Sequence, residues 1–157
     1  MHDGYKLFAV YDFYIDADEM ANRCPTALYV GPGVIRDHRL VFRGPNAQAL
    51  ATVEPTAGAK APVVVWNLTA VDEAALDAFE GFPARYRKEQ AKVNMAHKSV
   101  RAAVYILNAG ALPLPLAQPS SFYFATMYNG YKKSGADLSI LQKALTNSAV
   151  PASDAEK

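Results

Sequence analysis

One cysteine, three scattered histidines and a formal net charge of only +1 remove several kinds of chemistry from this 157-residue chain before any motif is read. Cys24 has no partner for an internal disulfide, which fits a reducing compartment. It stands beside Pro25 with no histidine near it in sequence, so it reads as a structural thiol and not as a nucleophile. His2, His38 and His97 show no H-x-x-x-H or His/Cys spacing, and no metal site is expected. Sixteen basic residues against 15 acidic ones create no field for nucleic acid. The one short basic group, Arg85, Arg87 and Lys88, reads as the solvated start of a strand. Glycine-rich phosphate loops and a G-x-S-x-G turn are both missing, so no cofactor is implied. No apolar run reaches the roughly 18 residues of a membrane span. The opening Met1-His-Asp-Gly lacks the charged and apolar stretches of a signal peptide, so the cytoplasm is the expected location. Nucleic-acid and membrane partners are therefore not expected, and no feature assigns an oligomeric state.

What is present is a globular composition, 51% hydrophobic and 20% charged. That is enough for one domain with a proper core, placed at residues 5–146, followed by a disordered tail at 147–157 rich in Ser, Ala, Asp and Glu. A mostly apolar strand is expected at 5–11, then a short helix to Cys24 whose acids Asp16, Asp18 and Glu19 lie at its N-terminus. Gly31-Pro-Gly33 marks a turn or bulge, and Gly44-Pro-Asn-Ala47 a turn between strands 38–43 and 49–53. Pro55 to Gly58 leads into a Val-rich buried strand at 61–68, and a hairpin is expected at 87–95 and 99–107. Residues 109–119 read as a loop wrapped over a surface. Ser120 or Ser121 caps a helix to about 134, and Asp137 caps a last one to Leu145. Strands interspersed with helices indicate an α+β fold.

The helix expected at 70–80 holds the chain's most informative residue. Thr69 with Asp72 forms a capping pair, Val71, Ala75, Leu76 and Phe79 supply an apolar face, and Gly81 and Pro83 end the helix. The last turn of a helix favours cations, yet this one carries Asp77 and Glu80. Glu80 lies about 40° around the helix from Leu76, at the border of the apolar face. The macrodipole and partial burial would both raise its pKa, as proton transfer near neutral pH requires. A solvated surface glutamate is the plain alternative.

The segment Leu76-Asp-Ala-Phe-Glu80-Gly81 resembles the L-D-x-x-E-G of the gamma-glutamylcyclotransferase-like (AIG2-like) superfamily. Met20-Ala-Asn-Arg23-Cys24-Pro25 resembles the M-x-x-R-C-P of one bacterial branch. Phe8 to Tyr11, Arg39-Leu-Val-Phe42, Ala51-Thr-Val-Glu-Pro55, Val63-Val-Val-Trp66, Ala103-Val-Tyr105, Pro119-Ser-Ser-Phe-Tyr123 and Gly130-Tyr131 follow in family order. The resemblance implies a small mixed-strand β-barrel with flanking helices. It also implies intramolecular aminolysis of a gamma-glutamyl amide or amine, releasing 5-oxoproline, with Glu80 as the catalytic acid/base and no cofactor. Tyr86 and Tyr123 fall where the family lines its pocket; for these and Tyr11 core packing is an equal alternative, and for Tyr105, Tyr128, Tyr131 and Trp66 it is preferred.

One departure stands out. The family's first strand ends in a Y-G-S-N-like turn, and here that turn reads Tyr11-Asp12-Phe13-Tyr14. Asp12 adds a side chain and a negative charge where a glycine lets backbone approach the ligand, and two rings take up volume beside it. The turn either shapes a pocket for a different ligand, such as an amine or a planar group, or marks a redirected binding module on the same fold. An open cavity beside Glu80 favours the enzyme; a cavity filled by Phe13 or Tyr14 favours the binder.

Overall fold

Two long antiparallel strands form the spine of the computed structural model, which describes residues 4–108 and 114–148. The strands are β1 (Lys6–Val10), β2 (Leu28–Arg43), β3 (Leu50–Leu68), β4 (Tyr86–Asn94) and β5 (Ser99–Leu107). Around them lie a 3-10 turn (Phe13–Ile15) and the helices α1 (Ala17–Arg23), α2 (Ala70–Glu80), α3 (Ser121–Ser134) and α4 (Leu138–Ser148). The strands close into a barrel in the order β1-β3-β2-β4-β5, and the ring is completed where β1 meets β5 in parallel at Phe8 and Ala103. The other neighbours pair antiparallel, so the barrel is mixed and the fold is α+β, as expected. None of the described helices is long and apolar enough to cross a membrane.

Three short strands expected at 38–43, 49–53 and 61–68 are instead parts of two continuous ones. The register slips between Tyr29 and Gly31, so the Gly-Pro-Gly segment is a bulge inside β2. It slips again where Arg36 pairs with Lys60 and His38 with Pro55. There Asp37 takes a φ of 58° and Gly58 one of 81°, and the Gly58 N–H donates to Asp37 Oδ1 at 3.0 Å. Pro55 and Gly58 thus mark a bulge and not a strand end. Barrel closure needs such kinks, because long strands must bend to meet.

The core lies inside the barrel and under α3 and α4, with Phe8, Phe42, Val65, Leu68, Val93, Met127, Tyr131 and Leu141 at 1% exposure or less. Tyr105, Tyr131 and Trp66 are core residues as expected, but Tyr128 is exposed, with Lys132 over its ring. On α3, Tyr128 is one position past buried Met127 and so turns outward. Cys24 is buried, its thiol donating to the Asp72 carbonyl at 3.4 Å, and burial pushes its pKa up to about 11. It is an inert structural thiol.

α4 runs through Thr146 to Ser148, whose buried hydroxyl donates to the Leu145 carbonyl at 2.7 Å. The helix therefore continues into residues assigned to the tail from composition; 149–157 lie outside the described residues. Of the loop at 109–119, residues 109–113 also lie outside them. The rest runs along the end of β2, where Pro115 and Ala117 exchange backbone bonds with Gly44 and Phe42. The Arg43 guanidinium holds the Leu114 carbonyl at 2.7 Å and pairs with Glu54.

Candidate active site

α2 forms over the expected residues, but it presents a different face to the barrel. Both halves of the Thr69–Asp72 capping box are made, and Thr26 adds a hydroxyl to the Asp72 carboxylate at 2.7 Å. Val71 is 77% and Phe79 46% exposed, while the buried stripe is Asp72, Leu76 and Glu80 at i, i+4 spacing. The capping network anchors Asp72 inward, and that rotation carries Glu80 inward with it. Phe79 is left outside, under the Arg23 guanidinium at 4.2 Å. Asp77, the other acid of the last turn, finds its cation on β4: Lys88 reaches it at 2.9 Å and Glu73 at 2.7 Å, and Tyr105 donates its hydroxyl. Among the described residues no cation pairs with Glu80 in this way.

Gly81 ends the helix at a φ of 76°, and the Arg85 N–H returns to its carbonyl at 2.7 Å, so the chain folds tightly back toward Tyr86. Opposite, β1 ends at Val10 and the chain turns at Asp12. One oxygen of Asp12, Oδ1, accepts from the Tyr14 N–H at 3.1 Å and caps the 3-10 turn. Asp12 and Glu80 are 3% and 6% exposed, and both line one cavity, close enough to shift each other's titration. Burial raises Glu80 first, and Asp12 raises it further, against an opposing pull from Arg85. Burial also raises Asp12, while Glu80 and the bond from the Tyr14 N–H favour its charged form. Burial thus raises both carboxyls, Glu80 the further, so of the two Glu80 keeps a proton more readily.

A cavity of about 200 Å³ opens against this pair. Asp12, Glu80, Tyr86 and Tyr123 supply its polar wall, Phe13, Tyr14, Leu50 and Phe79 its apolar wall, and Arg85 completes the lining. Two phenols fix its floor through one residue of β3. Tyr86 donates to the Ala51 carbonyl at 2.8 Å, and the Ala51 N–H donates to the Tyr123 hydroxyl at 3.1 Å. Burial pushes both phenols above their ordinary range and Tyr14 up to about 12, so none is charged near neutral pH. The Phe13 ring packs against Tyr14, Phe122 and Tyr123 at centroid distances of 5.4, 5.7 and 5.9 Å. The two aromatic residues of the turn thus line the cavity without closing it.

Six of the residues singled out from sequence, Asp12, Phe13, Tyr14, Glu80, Tyr86 and Tyr123, meet at this cavity. Tyr11 does not line it; its buried hydroxyl donates to the Tyr105 carbonyl beneath. Leu50, Phe79 and Arg85 were not foreseen there. Arg85 read as a solvated strand start, although its place between Gly81 and Tyr86 was a usable signal. A larger cleft of about 400 Å³ lies beside β2 and β4, but its carboxylates, Asp37 and Glu89, are exposed. No cluster able to hold a metal ion occurs among the described residues.

The family model described as gamma-glutamyl cyclotransferase, AIG2-like, matches residues 10–123, which include every residue of the cavity. Among curated proteins there is no match. Solved structures share the fold. One is a gamma-glutamyl cyclotransferase with 21% identity and a TM-score of 0.77, covering 89% of this chain and 86% of that one. Another, the uncharacterised human protein loc79017, has 22% identity and a TM-score of 0.78 over 90% of this chain and 87% of its own. A yeast gamma-glutamyl cyclotransferase specific to glutathione aligns at 10% identity with a TM-score of 0.61, covering 93% and 97%. The chain belongs to the AIG2-like gamma-glutamyl cyclotransferase family.

Proposed function

We propose that the protein is a cytoplasmic cyclotransferase that closes a gamma-glutamyl amide or amine onto itself, releasing 5-oxoproline and a free amine. The observation that carries this reading is Glu80: a buried carboxyl at a helix end, its pKa raised by burial and by Asp12, facing an open cavity in a chain of this family. In the reaction the substrate's α-nitrogen attacks its own γ-carbonyl, the N–C bond of the ring forms, and the bond to the leaving nitrogen breaks. Positioning supplies much of the rate, because the attack is intramolecular once the chain is folded into a near-ring. Proton transfer is the remaining task, and Glu80 carries it between the two nitrogens, which lie on one side of the forming ring. Tyr86 and Tyr123 hold the wall against which the glutamyl group would lie. At about 200 Å³ the cavity is below the roughly 300–1,000 Å³ of drug-sized sites. That favours a single glutamyl group enclosed with its leaving amine outside. Membership of the bacterial branch rests on Met20-Ala-Asn-Arg23-Cys24-Pro25.

The test is incubation with a panel of gamma-glutamyl dipeptides and gamma-glutamyl amines, with 5-oxoproline followed by mass spectrometry beside Glu80→Gln. Product should form with the wild type and fall by about 10³-fold or more in the variant, the upper range for loss of a general acid/base. The turn Asp12-Phe13-Tyr14 favours a second reading, a small-molecule binding module redirected from catalysis. Absence of product across the panel would select it.

A further inference from the structure

Asp12 is more than a cap for the 3-10 turn. Capping uses one oxygen and is done equally well by Asn or Ser. It gives no reason to bury a second acid against Glu80, an arrangement that burial and like charge both oppose. The groups around the pair do not neutralise it. Arg85, from the turn after α2, is exposed and opposes the rise at Glu80 without cancelling it; Arg23, from α1, lies over the Phe79 ring. The phenols of Tyr14, Tyr86 and Tyr123 face the pair from the 3-10 turn, β4 and α3, with Tyr11 beneath them just past β1, and burial pushes all four above their ordinary range. Two buried carboxyls on one cavity wall are a pair of acceptors complementary to an ammonium group.

We propose that Asp12 is a second catalytic carboxyl, taking a proton from the substrate's α-ammonium while Glu80 gives one to the departing nitrogen. The proposal rests on the cyclotransferase reading and divides between two residues the work assigned there to Glu80. At the outset the pair is Asp12 carboxylate and Glu80 acid. Asp12 accepts the first proton from the α-ammonium, and the freed amine attacks the γ-carbonyl. Glu80 protonates the leaving nitrogen as its bond to carbon breaks. Glu80 then takes the ring nitrogen's surplus proton, and Asp12 releases its own to the departing amine, which leaves as an ammonium. Two protons leave the attacking nitrogen and two reach the leaving one. The pair ends as it began, and no co-reactant is consumed. Arg85 on the same wall offsets part of the pair's repulsion toward the substrate's own carboxylate.

The experiment compares wild type, Asp12→Asn, Glu80→Gln and the double variant on gamma-glutamyl-alanine and on the gamma-glutamyl amide of n-butylamine. Asn keeps the shape and the capping oxygen, so the fold should survive, as circular dichroism would verify. Asp12→Asn should lower kcat by about 100-fold with a smaller change in KM. The double variant should be no worse than the poorer single one, because the two residues act as a unit. The wild-type pH profile should be bell-shaped, both limbs belonging to the pair, and Asp12→Asn should reduce it to one limb. A profile that only slides along the pH axis, with kcat retained at its optimum, makes Asp12 a tuning group and overturns the inference alone. No turnover by the wild type overturns the cyclotransferase reading and the inference with it.

Discussion

At the scale of the residue, the site is a place where stability is given up. Glu80 is held in a buried position that favours its protonated form, so its folded pKa lies above the unfolded value of about 4.3. The stability this group contributes is complete below that unfolded value and is lost as pH rises through the folded one. Replacing Glu80 by Gln removes the penalty and should stabilise the protein at pH 8 by about 1 kcal/mol, or about 2–4 °C in Tm. The gain should shrink toward pH 4. Thermal unfolding of both proteins across that range checks it; an equal or lower Tm for Glu80→Gln at pH 8 would mean that the carboxyl is stabilising where it sits. Glu80 was legible in the sequence because it breaks the helix-end charge rule, as Asp77 does too. Only the structure separates them: Asp77 is answered by Lys88 and Tyr105, whereas Glu80 is answered by another acid. That acid was visible as a departure at Asp12, but its meeting with Glu80 depends on two segments 68 positions apart in the chain.

At the scale of the element, the helices were readable to within a residue or so at their starts because their caps are written locally: Asp16, Thr69, Ser120. Which face each helix buries was not, since Asp72 and Glu80 are turned inward by partners that hydropathy does not reveal. The Gly130-Tyr131 pair explains how α3 delivers Tyr123 to the cavity. A Cβ on Gly130 would lie 2.6 Å from the Asp16 nitrogen and 2.7 Å from the Ile15 carbonyl carbon, so α3 packs directly on the backbone after the 3-10 turn. Only glycine permits that approach. Gly130→Ala should cost about 1–3 kcal/mol in urea unfolding and should also lower turnover, because helix and turn must separate. An unchanged unfolding midpoint would show that the contact is slack.

At the scale of the molecule, closure of the barrel brings the turn after β1, the start of β3, the end of α2, the start of β4 and the start of α3 to one cavity. Composition and periodicity reach α+β and the element list, but not the barrel. The β1–β5 closure is a single parallel contact, and the long strands hide behind Pro55 and Gly58, which resemble strand ends. The family resemblance supplies the barrel because it encodes order, which local pattern does not. The claim that function sits between Asp12 and Glu80, and not in the larger cleft near His38, is tested most directly by a crystal structure of Glu80→Gln holding an uncleaved gamma-glutamyl amide. The account predicts the ligand's α-nitrogen in hydrogen-bond reach of Asp12 and its γ-amide nitrogen beside residue 80. Ligand bound only in the cleft between β2 and β4 would contradict it.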